Sequence, residues 1–386
     1  PFPDMVKPMD GCWHCIHPEF LQDQLARSLE RLRLETLDVC LLHNPEYFFS
    51  DAMRRRSGDL EELRGEFYRR LAQAFVFFEA QVSAGRIAWY GVSSNTAVRP
   101  PDDPEATSLS RMLDAAVAAG GPGHHFRVVQ VPMNLLETGA ARQANTGADA
   151  AQTVLAWAAE SGIAVLTNRP LNAYANGTLI RLADVPLDDT EGVPAPDEAL
   201  PRVAALEEEF RLKIGSRLRV AEGGPPPAEW FCWADRLGAM AGRLQGVDHW
   251  RRIEERTISP AVSRLVQMLD RSLSGPIQET WRSWLEQYLS ALDAVLRAFR
   301  ARAARQSQAV SNRVTAALNP HLPLAKRGES LSRKALWVLL STPGVTTVLL
   351  GMRHPDYVAD GMEVLKWLTL GDVGRIYDAM RDVRVG

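Results

Sequence analysis

The chain has 386 residues, enough for one large α/β barrel or two ordinary domains, and its 46% hydrophobic and 24% charged residues are typical of a globular protein with a sizeable core. A formal net charge of −3 argues against the positive field that draws proteins onto nucleic acid or anionic membranes. We therefore expect neither nucleic acid nor a membrane as a partner.

Cysteine usage and the absence of export signals indicate a cytoplasmic protein. Only four cysteines occur and they form no regular framework, as in reducing compartments. No window reaches the roughly 18 uncharged apolar residues that cross a bilayer, and the amino end lacks a signal-peptide pattern. The sequence starts without Met on PFPDMVKPMDG, predicted to be neither strand nor helix, and we expect the front of the fold to be missing from it.

The stretch GCWHCIHPEF places Cys12, His14, Cys15 and His17 within six residues. Haem attachment requires His directly after the second Cys, whereas Ile16 intervenes here. Four zinc ligands so close together cannot easily converge tetrahedrally, although two of them could contribute to a site completed elsewhere.

Short apolar runs recur along the chain, each after an amphipathic segment, which predicts βα units and a parallel sheet. A (β/α) barrel competes with a doubly wound sheet, and the chain has no G-x-G-x-x-G fingerprint of the latter. The predicted strands are LDVCLLH from Leu37, RIAWYGVSS from Arg86, FRVVQVPMN from Phe126, GIAVLTNRPL from Gly162 and TTVLLG from Thr346.

The regular alternation stops between about Ala175 and Arg333, where long helical patterns predict an all-helical insertion. We assign residues 1–175 and 331–386 to the barrel and 176–330 to the insertion. Its tryptophans are expected to form its own core, although a surface for a protein partner or self-association is an alternative. These tryptophans are Trp230, Trp233, Trp250, Trp281 and Trp284.

Polar side chains gather where the predicted strands end. Such residues are costly at the end of an apolar strand unless they have a partner or a function. In α/β barrels the carboxyl ends of the strands carry the chemistry. Residues of this kind are His43, Asn44, Ser93, Ser94, Asn95, Gln130, Asn134, Asn168 and Arg169.

Four segments in this order resemble the aldo-keto reductases: HPEFLQDQLARSLERLRLETLDVCLLHNP, GRIAWYGVSSN, VVQVPMN and ALWVLLSTPGVTTVLLGMR. The resemblance covers roughly residues 11–171 and 331–365. It implies a TIM (β/α)8-type barrel with the front units absent and the insertion after the seventh strand. It also implies hydride transfer between NADP or NAD, as NAD(P)H, and an aldehyde, ketone or sugar-like carbonyl.

The same resemblance implies roles for strand-end residues, each of which could instead be an ordinary hydrogen-bonding group. His43 matches the histidine that orients the substrate carbonyl. Ser93 and Gln130 match the pair that binds the nicotinamide carboxamide. The expected cofactor-binding residues are Ser93, Asn95, Gln130, Asn168, Arg169, Leu171, Gly351 and Arg353.

Departures from the family pattern leave alternatives open. In the family an asparagine directly follows the serine, whereas here Ser94 follows Ser93 and Asn95 comes one position later. Asn168 stands where an aromatic residue usually stacks on the nicotinamide. Arg353 could reach the 2′-phosphate of NADP, but the sequence does not distinguish NADP from NAD as the cofactor.

The catalytic Asp, Tyr and Lys of the family have no match, since Lys7 is not at a predicted strand end and Tyr47 is only a conceivable substitute. In this reading GCWHC is the loop after the third strand, and His17-Pro18 opens the next helix.

The alternative function is a non-catalytic or partial barrel that binds a partner through the insertion. A metal hydrolase is disfavoured because the strand ends offer Ser, Gln, Asn and Arg, and no metal is expected.

Overall fold

The computed structural model describes residues 2–56, 58–175, 177–218 and 226–384. The chain forms two compact units: the first holds the described residues up to Ala173 and those from His321 to Asp382, and the second holds those from Tyr174 to Pro320 and from Val383 onward. The predicted boundary at residue 176, and both ends of the predicted barrel segments at Pro1 and 385–386, lie outside the described residues.

A five-stranded parallel sheet organises the first unit. Its five strands, Leu37–His43, Ile87–Ser93, Phe126–Pro132, Ala164–Asn168 and Thr347–Val348, lie side by side in chain order, whereas a doubly wound sheet reverses direction at a switch point. The predicted α/β class with a parallel sheet is confirmed. The strands are β1 Val6–Met9, β2 Cys12–His14, β3 Leu37–His43, β4 Ile87–Ser93, β5 Phe126–Pro132, β6 Ala144–Thr146, β7 Gln152–Thr153, β8 Ala164–Asn168, β9 Asn172–Ala175, β10 Thr178–Arg181 and β11 Thr347–Val348.

Some of the helices begin at a residue whose side chain accepts a hydrogen bond from a first-turn N–H. Pro18 occupies the first turn of α1, and the His17 ring accepts the Glu19 N–H at 3.3 Å, as expected for His17-Pro18. The helices are α1 Pro18–Leu32, α2 Tyr47–Arg55, α3 Leu60–Ser83, α4 Leu109–Gly120, α5 Gly139–Arg142, α6 Val154–Glu160, α7 Pro196–Lys213, α8 Trp233–Ala241, α9 Val247–Ile253, α10 Ser259–Ser272, α11 Pro276–Leu318, α12 Leu331–Leu340, α13 Pro355–Val364 and α14 Gly374–Arg381. None of the helices in the described ranges is long and apolar enough to cross a membrane.

The two faces of the parallel sheet differ. On one face Tyr90 is fully buried against Phe75 and Phe78 of α3, with ring centroids 5.1 and 5.4 Å away. On the other face Gly91 lets β4 and β5 approach closely, since a Cβ there would lie 1.9 Å from the Val128 carbonyl oxygen. This second face carries the polar strand-end residues.

The second unit has its own helical core. The tryptophans cluster with Phe210, Phe231 and Tyr288 around α7 and α11, and Trp281 and Trp284 stack at 5.4 Å. The prediction that these aromatics pack into a core of their own is confirmed, with Trp230 only partly buried at its edge. The expectation of an all-helical segment is wrong at its start, because Thr178–Arg181 is a strand that pairs with β9.

The front of the chain also differs from the expectation. PFPDMVKPMDG and GCWHC were expected to be irregular, but β1 and β2 form an antiparallel hairpin in which Val6 pairs with His14 and Met9 with Cys12. Asp10-Gly11 is a favoured hairpin dipeptide, and Gly11, its second residue, has a φ of +77°. At the far edge of the sheet, β11 covers only two residues of the predicted TTVLLG strand.

Candidate active site

Three polar side chains lie in register at the carboxyl ends of neighbouring parallel strands. His43 ends β3 and pairs with Ser93 at the end of β4, and Ser93 in turn pairs with Gln130 in β5. Residues in register across a sheet project from the same face. The structure thus brings together three of the residues that the sequence singles out.

Ser93 and Gln130 are joined directly. The Gln130 side-chain Nε2 donates to the Ser93 Oγ at 3.0 Å, and Ser93 is buried whereas Gln130 is half-buried. Within the described part of the chain, the Gln130 Oε1 and the Ser93 hydroxyl hydrogen have no partner. One acceptor and one donor therefore remain side by side, which matches the N–H and C=O of a carboxamide.

The loops after β3 and β4 are tied to each other. The Asn44 N–H donates to the Ser93 carbonyl at 2.8 Å, and the Asn95 Nδ2 donates to the Asn44 Oδ1 at 3.0 Å. The Glu46 Oε1 accepts the Asn95 N–H at 2.7 Å. Asn44 has a φ of +48°, a conformation that asparagine tolerates better than most residues. Asn95 is consequently held from two sides.

Glu46 is a carboxyl in an enclosed position, with 2% of its surface exposed. Burial raises the pKa of Glu46, and the bond from the Asn95 N–H opposes that rise. The Glu46 Oε2 has no hydrogen-bond partner in the described ranges.

A second cluster lies after β5 and β8. Arg169 has a φ of +55° and pairs with Glu137 at 2.6 Å. The fully buried Asn134 amide donates to Glu137 at 2.7 Å and to the Arg169 carbonyl at 3.2 Å. Asn168 ends β8 opposite Pro132, and its Oδ1 is buried with no partner among the residues described. A buried acceptor of this kind is a position for a ligand's donor.

The remaining expected cofactor residues lie away from these hydrogen bonds. Leu171 is half-buried between β8 and β9. Gly351 and Arg353 are exposed between β11 and α13, and no ion pair of Arg353 occurs in the described ranges. In the described part of the chain, none of these three residues forms a side-chain hydrogen bond with Ser93 or Gln130.

His14 lies beside the end of β3. Its Nε2 is 2.7 Å from the His43 carbonyl oxygen, so Nε2 carries the proton and donates it. Burial lowers the pKa of His14, although the bond to the His43 carbonyl opposes this. The Tyr47 ring contacts the His14 ring edge-on at 5.3 Å. Lys7, in contrast, lies in β1 and pairs with Asp10 at 3.5 Å.

The opposite end of the sheet holds another polar cluster. His125 precedes β5, and its N–H and ring both bond to Glu79 at 2.7 Å. The Tyr90 hydroxyl donates to the same carboxylate at 2.8 Å. No group of three or more His, Cys, Asp and Glu residues suited to a metal ion occurs in the described part of the chain.

Glu46, Glu137 and His14 contact the strand-end residues, and the sequence alone assigned none of them a role there. His14 stood in a recognised motif, but its bond to His43 depends on the β1–β2 hairpin, which the sequence pattern did not predict. Glu46 follows His43-Asn44-Pro45 directly, so its distance from a strand end was a usable signal. Glu137 is linked to Arg169 only through the folded sheet.

No protein-family model matches the chain, and no curated protein sequence matches it. Among solved structures, it is similar to the thermostable aldo-keto reductase Tm1743 in complex with the inhibitor epalrestat, with 11% identity over 95% of this chain and 67% of that chain and a TM-score of 0.40. It is also similar to the glycerol dehydrogenase AKR11B4 from Gluconobacter oxydans, with 13% identity over 97% of this chain and 68% of that chain and a TM-score of 0.41.

Proposed function

We propose that the chain belongs to an aldo-keto reductase-like oxidoreductase of the cytoplasm, which transfers a hydride between NADPH or NADH and an aldehyde, ketone or sugar-like carbonyl. The observation that carries the proposal is the Gln130–Ser93 hydrogen bond at 3.0 Å, which leaves one acceptor and one donor side by side at a strand end. The motifs that resemble the family supply the reaction class.

The donor and acceptor types at this edge of the sheet fit a nicotinamide carboxamide. Its N–H would donate to the Gln130 Oε1, and its C=O would accept from the Ser93 hydroxyl. The buried Asn168 Oδ1 offers a further acceptor at the end of β8. When bound, the reduced nicotinamide supplies the hydride.

His43 is the residue that we assign to the substrate carbonyl. It is exposed at the end of β3, in register with Ser93, so a carbonyl beside the nicotinamide is within its reach. Hydride addition builds negative charge on the carbonyl oxygen, and a preorganised donor at that oxygen stabilises the charge. Tyr47, whose ring lies against His14, is our candidate for the proton donor.

The architecture that goes with this function is a (β/α)8-type barrel. The parallel strands β3, β4, β5, β8 and β11 would be its fourth to eighth strands, because sequential parallel strands wound in one direction are what a barrel segment contains. The helical segment then follows the seventh strand.

Calorimetric titration of the protein with NADPH and, separately, with NADH tests the proposal. We expect saturable binding of at least one cofactor, and competition between the two for one site. A panel of aldehydes, ketones and sugars with the preferred cofactor then identifies the substrate class. If neither cofactor binds, the oxidoreductase proposal is wrong, and the alternative of a non-catalytic, partner-binding barrel takes its place.

A further inference from the structure

The carboxyl of Glu46 is enclosed between the loops that follow β3 and β4. It accepts the Asn95 N–H at 2.7 Å with one oxygen, while the other oxygen has no hydrogen-bond partner in the described residues. Only 2% of the residue is exposed. A buried carboxylate with an unsatisfied oxygen lowers the stability of a fold, because its desolvation is only partly offset.

The groups held by Glu46 are those that build the carboxamide pair. Asn95 donates from its side chain to Asn44, and the Asn44 N–H donates to the carbonyl of Ser93. The Ser94 N–H continues the ladder to the Gln130 carbonyl at 2.9 Å. These bonds connect Glu46 to both members of the Ser93–Gln130 pair, with Asn95 as the link.

We infer that Glu46 is a positioning residue, which in its ionised form fixes Asn95 and thereby Ser93 for binding of the nicotinamide carboxamide. The inference rests on the proposed function. It explains why an ionisable side chain occupies a place where a neutral amide of the same shape would be easier to bury.

The ionisation of Glu46 should therefore appear in cofactor binding. Burial raises the pKa of Glu46, so the group takes up a proton at a higher pH than an exposed glutamate does. A neutral carboxyl is a weaker acceptor for the Asn95 N–H than a carboxylate is. Affinity should then fall as the pH falls through this raised pKa. The Ser94 hydroxyl and the charge of Arg99, which itself pairs with Asp103 and Glu105, both lower the pKa of Glu46 and so oppose the effect of burial.

The test compares Glu46→Gln with the unchanged protein, with NADPH and NADH as probes, over a range of acid to neutral pH. Glutamine keeps the shape and an acceptor oxygen but removes the charge. At neutral pH we expect a rise in Kd of about tenfold, the effect of weakening one charge-assisted hydrogen bond. The pH dependence contributed by Glu46 should disappear. The unfolding temperature should stay equal or rise, because the buried charge is gone.

Glu207→Gln is the matched control. Glu207 is also a buried glutamate whose pKa is raised by burial, but it bonds to Trp233, Ala234 and Tyr288 in the second unit. Its substitution should leave the Kd of the cofactor unchanged. A Kd in Glu46→Gln equal to that of the unchanged protein would overturn the inference while leaving the proposed function intact. A loss of affinity that accompanies a lowered unfolding temperature, with the pH profile preserved, would overturn it as well. Failure of the unchanged protein to bind either cofactor overturns both.

Discussion

Gln130 donates a hydrogen bond from its side-chain amide to the Ser93 hydroxyl at 3.0 Å, across two neighbouring parallel strands. The bond fixes the orientation of the Gln130 amide, because its Nε2 faces the Ser93 hydroxyl oxygen and its Oε1 therefore faces away from that oxygen. The register that places these residues side by side also places His43 next to Ser93. The candidate site is thus a direct product of strand pairing.

The close approach of β4 and β5 makes Gly91 sensitive to substitution. A Cβ at this position would overlap the Val128 carbonyl at 1.9 Å and approach the Leu41 side chain at 2.9 Å. Backbone atoms cannot yield as a flexible side chain can, so Gly91→Ala should lower the free energy of unfolding by about 3 kcal/mol or more. Denaturant unfolding measures this. Gly65→Ala in α3, where a Cβ meets nothing within 4 Å, is the control and should be neutral or stabilising.

Glu207 stabilises the second unit by accepting hydrogen bonds at the start of α8. It accepts the Trp233 N–H at 2.7 Å and the Tyr288 hydroxyl at 2.9 Å. Glu207→Ala leaves these donors buried and unpaired and should cost about 3 kcal/mol of stability. Chemical denaturation followed by tryptophan fluorescence reports the loss. Glu208→Gln, on the exposed side of the same helix, should show no measurable change.

The sign of the pH dependence at Glu207 follows from its burial. Burial raises the pKa of Glu207 above its usual value, so the folded protein holds this proton more tightly than the unfolded chain does. The contribution of Glu207 to the free energy of unfolding is fully present below the usual carboxyl pKa and is lost as the pH rises through the raised value. Glu207→Gln should remove this part of the stability profile. An unchanged profile in that variant would contradict the assignment.

Glu79 should show the opposite dependence on pH. Burial alone would raise the pKa of Glu79, but the donors from His125 and Tyr90 outweigh it and lower the pKa. Stability from this carboxylate is therefore present above the usual carboxyl pKa and is lost as the pH falls through the lowered value. Glu79→Gln should destabilise the protein by about 2 kcal/mol at neutral pH and by less in acid. Tyr90→Phe, which removes one donor only, should cost about 1 kcal/mol at neutral pH.

His14 should titrate below the usual histidine range. Burial lowers the pKa of its ring, and the Nε2 proton is engaged with the His43 carbonyl. Because the neutral form is favoured in the folded state, the stability that His14 contributes is present above the usual histidine pKa of about 6.5 and is lost as the pH falls through the lowered value. An NMR titration of the ring protons, assigned with His14→Gln, gives the midpoint directly. A midpoint above that of an exposed histidine would show that the ring is not buried in this way.

The sequence predicted the elements that depend on local patterning. Apolar runs such as LDVCLLH became parallel strands, and His17-Pro18 became a helix start, because hydrophobic periodicity and capping act over a few residues. The β1–β2 hairpin was missed because its strands are short and Lys7 and His14 interrupt their apolar pattern. The Asp10-Gly11 turn was the available signal.

The sequence predicted which polar residues lie at strand ends, but not which of them contact one another. Ser93, Gln130 and His43 were recognisable as polar residues at strand ends, and register then brings them together. The bond between Glu46 and Asn95 joins residues 49 positions apart, so no local pattern could predict it. The orphaned Asn168 Oδ1 likewise depends on how tightly the surrounding chain encloses it.

The role of Ser93 and Gln130 is tested by the Kd for NADPH and NADH of Ser93→Ala and Gln130→Ala, measured by calorimetry beside the unchanged protein. Ser161→Ala is the matched control, because Ser161 directly follows α6 and precedes β8, at the opposite end of the sheet. We expect each site variant to raise the Kd by about tenfold, the loss of one hydrogen bond in a buried site, and Ser161→Ala to leave it unchanged. Tight binding that is insensitive to both site substitutions would contradict the claim that Ser93 and Gln130 hold the nicotinamide.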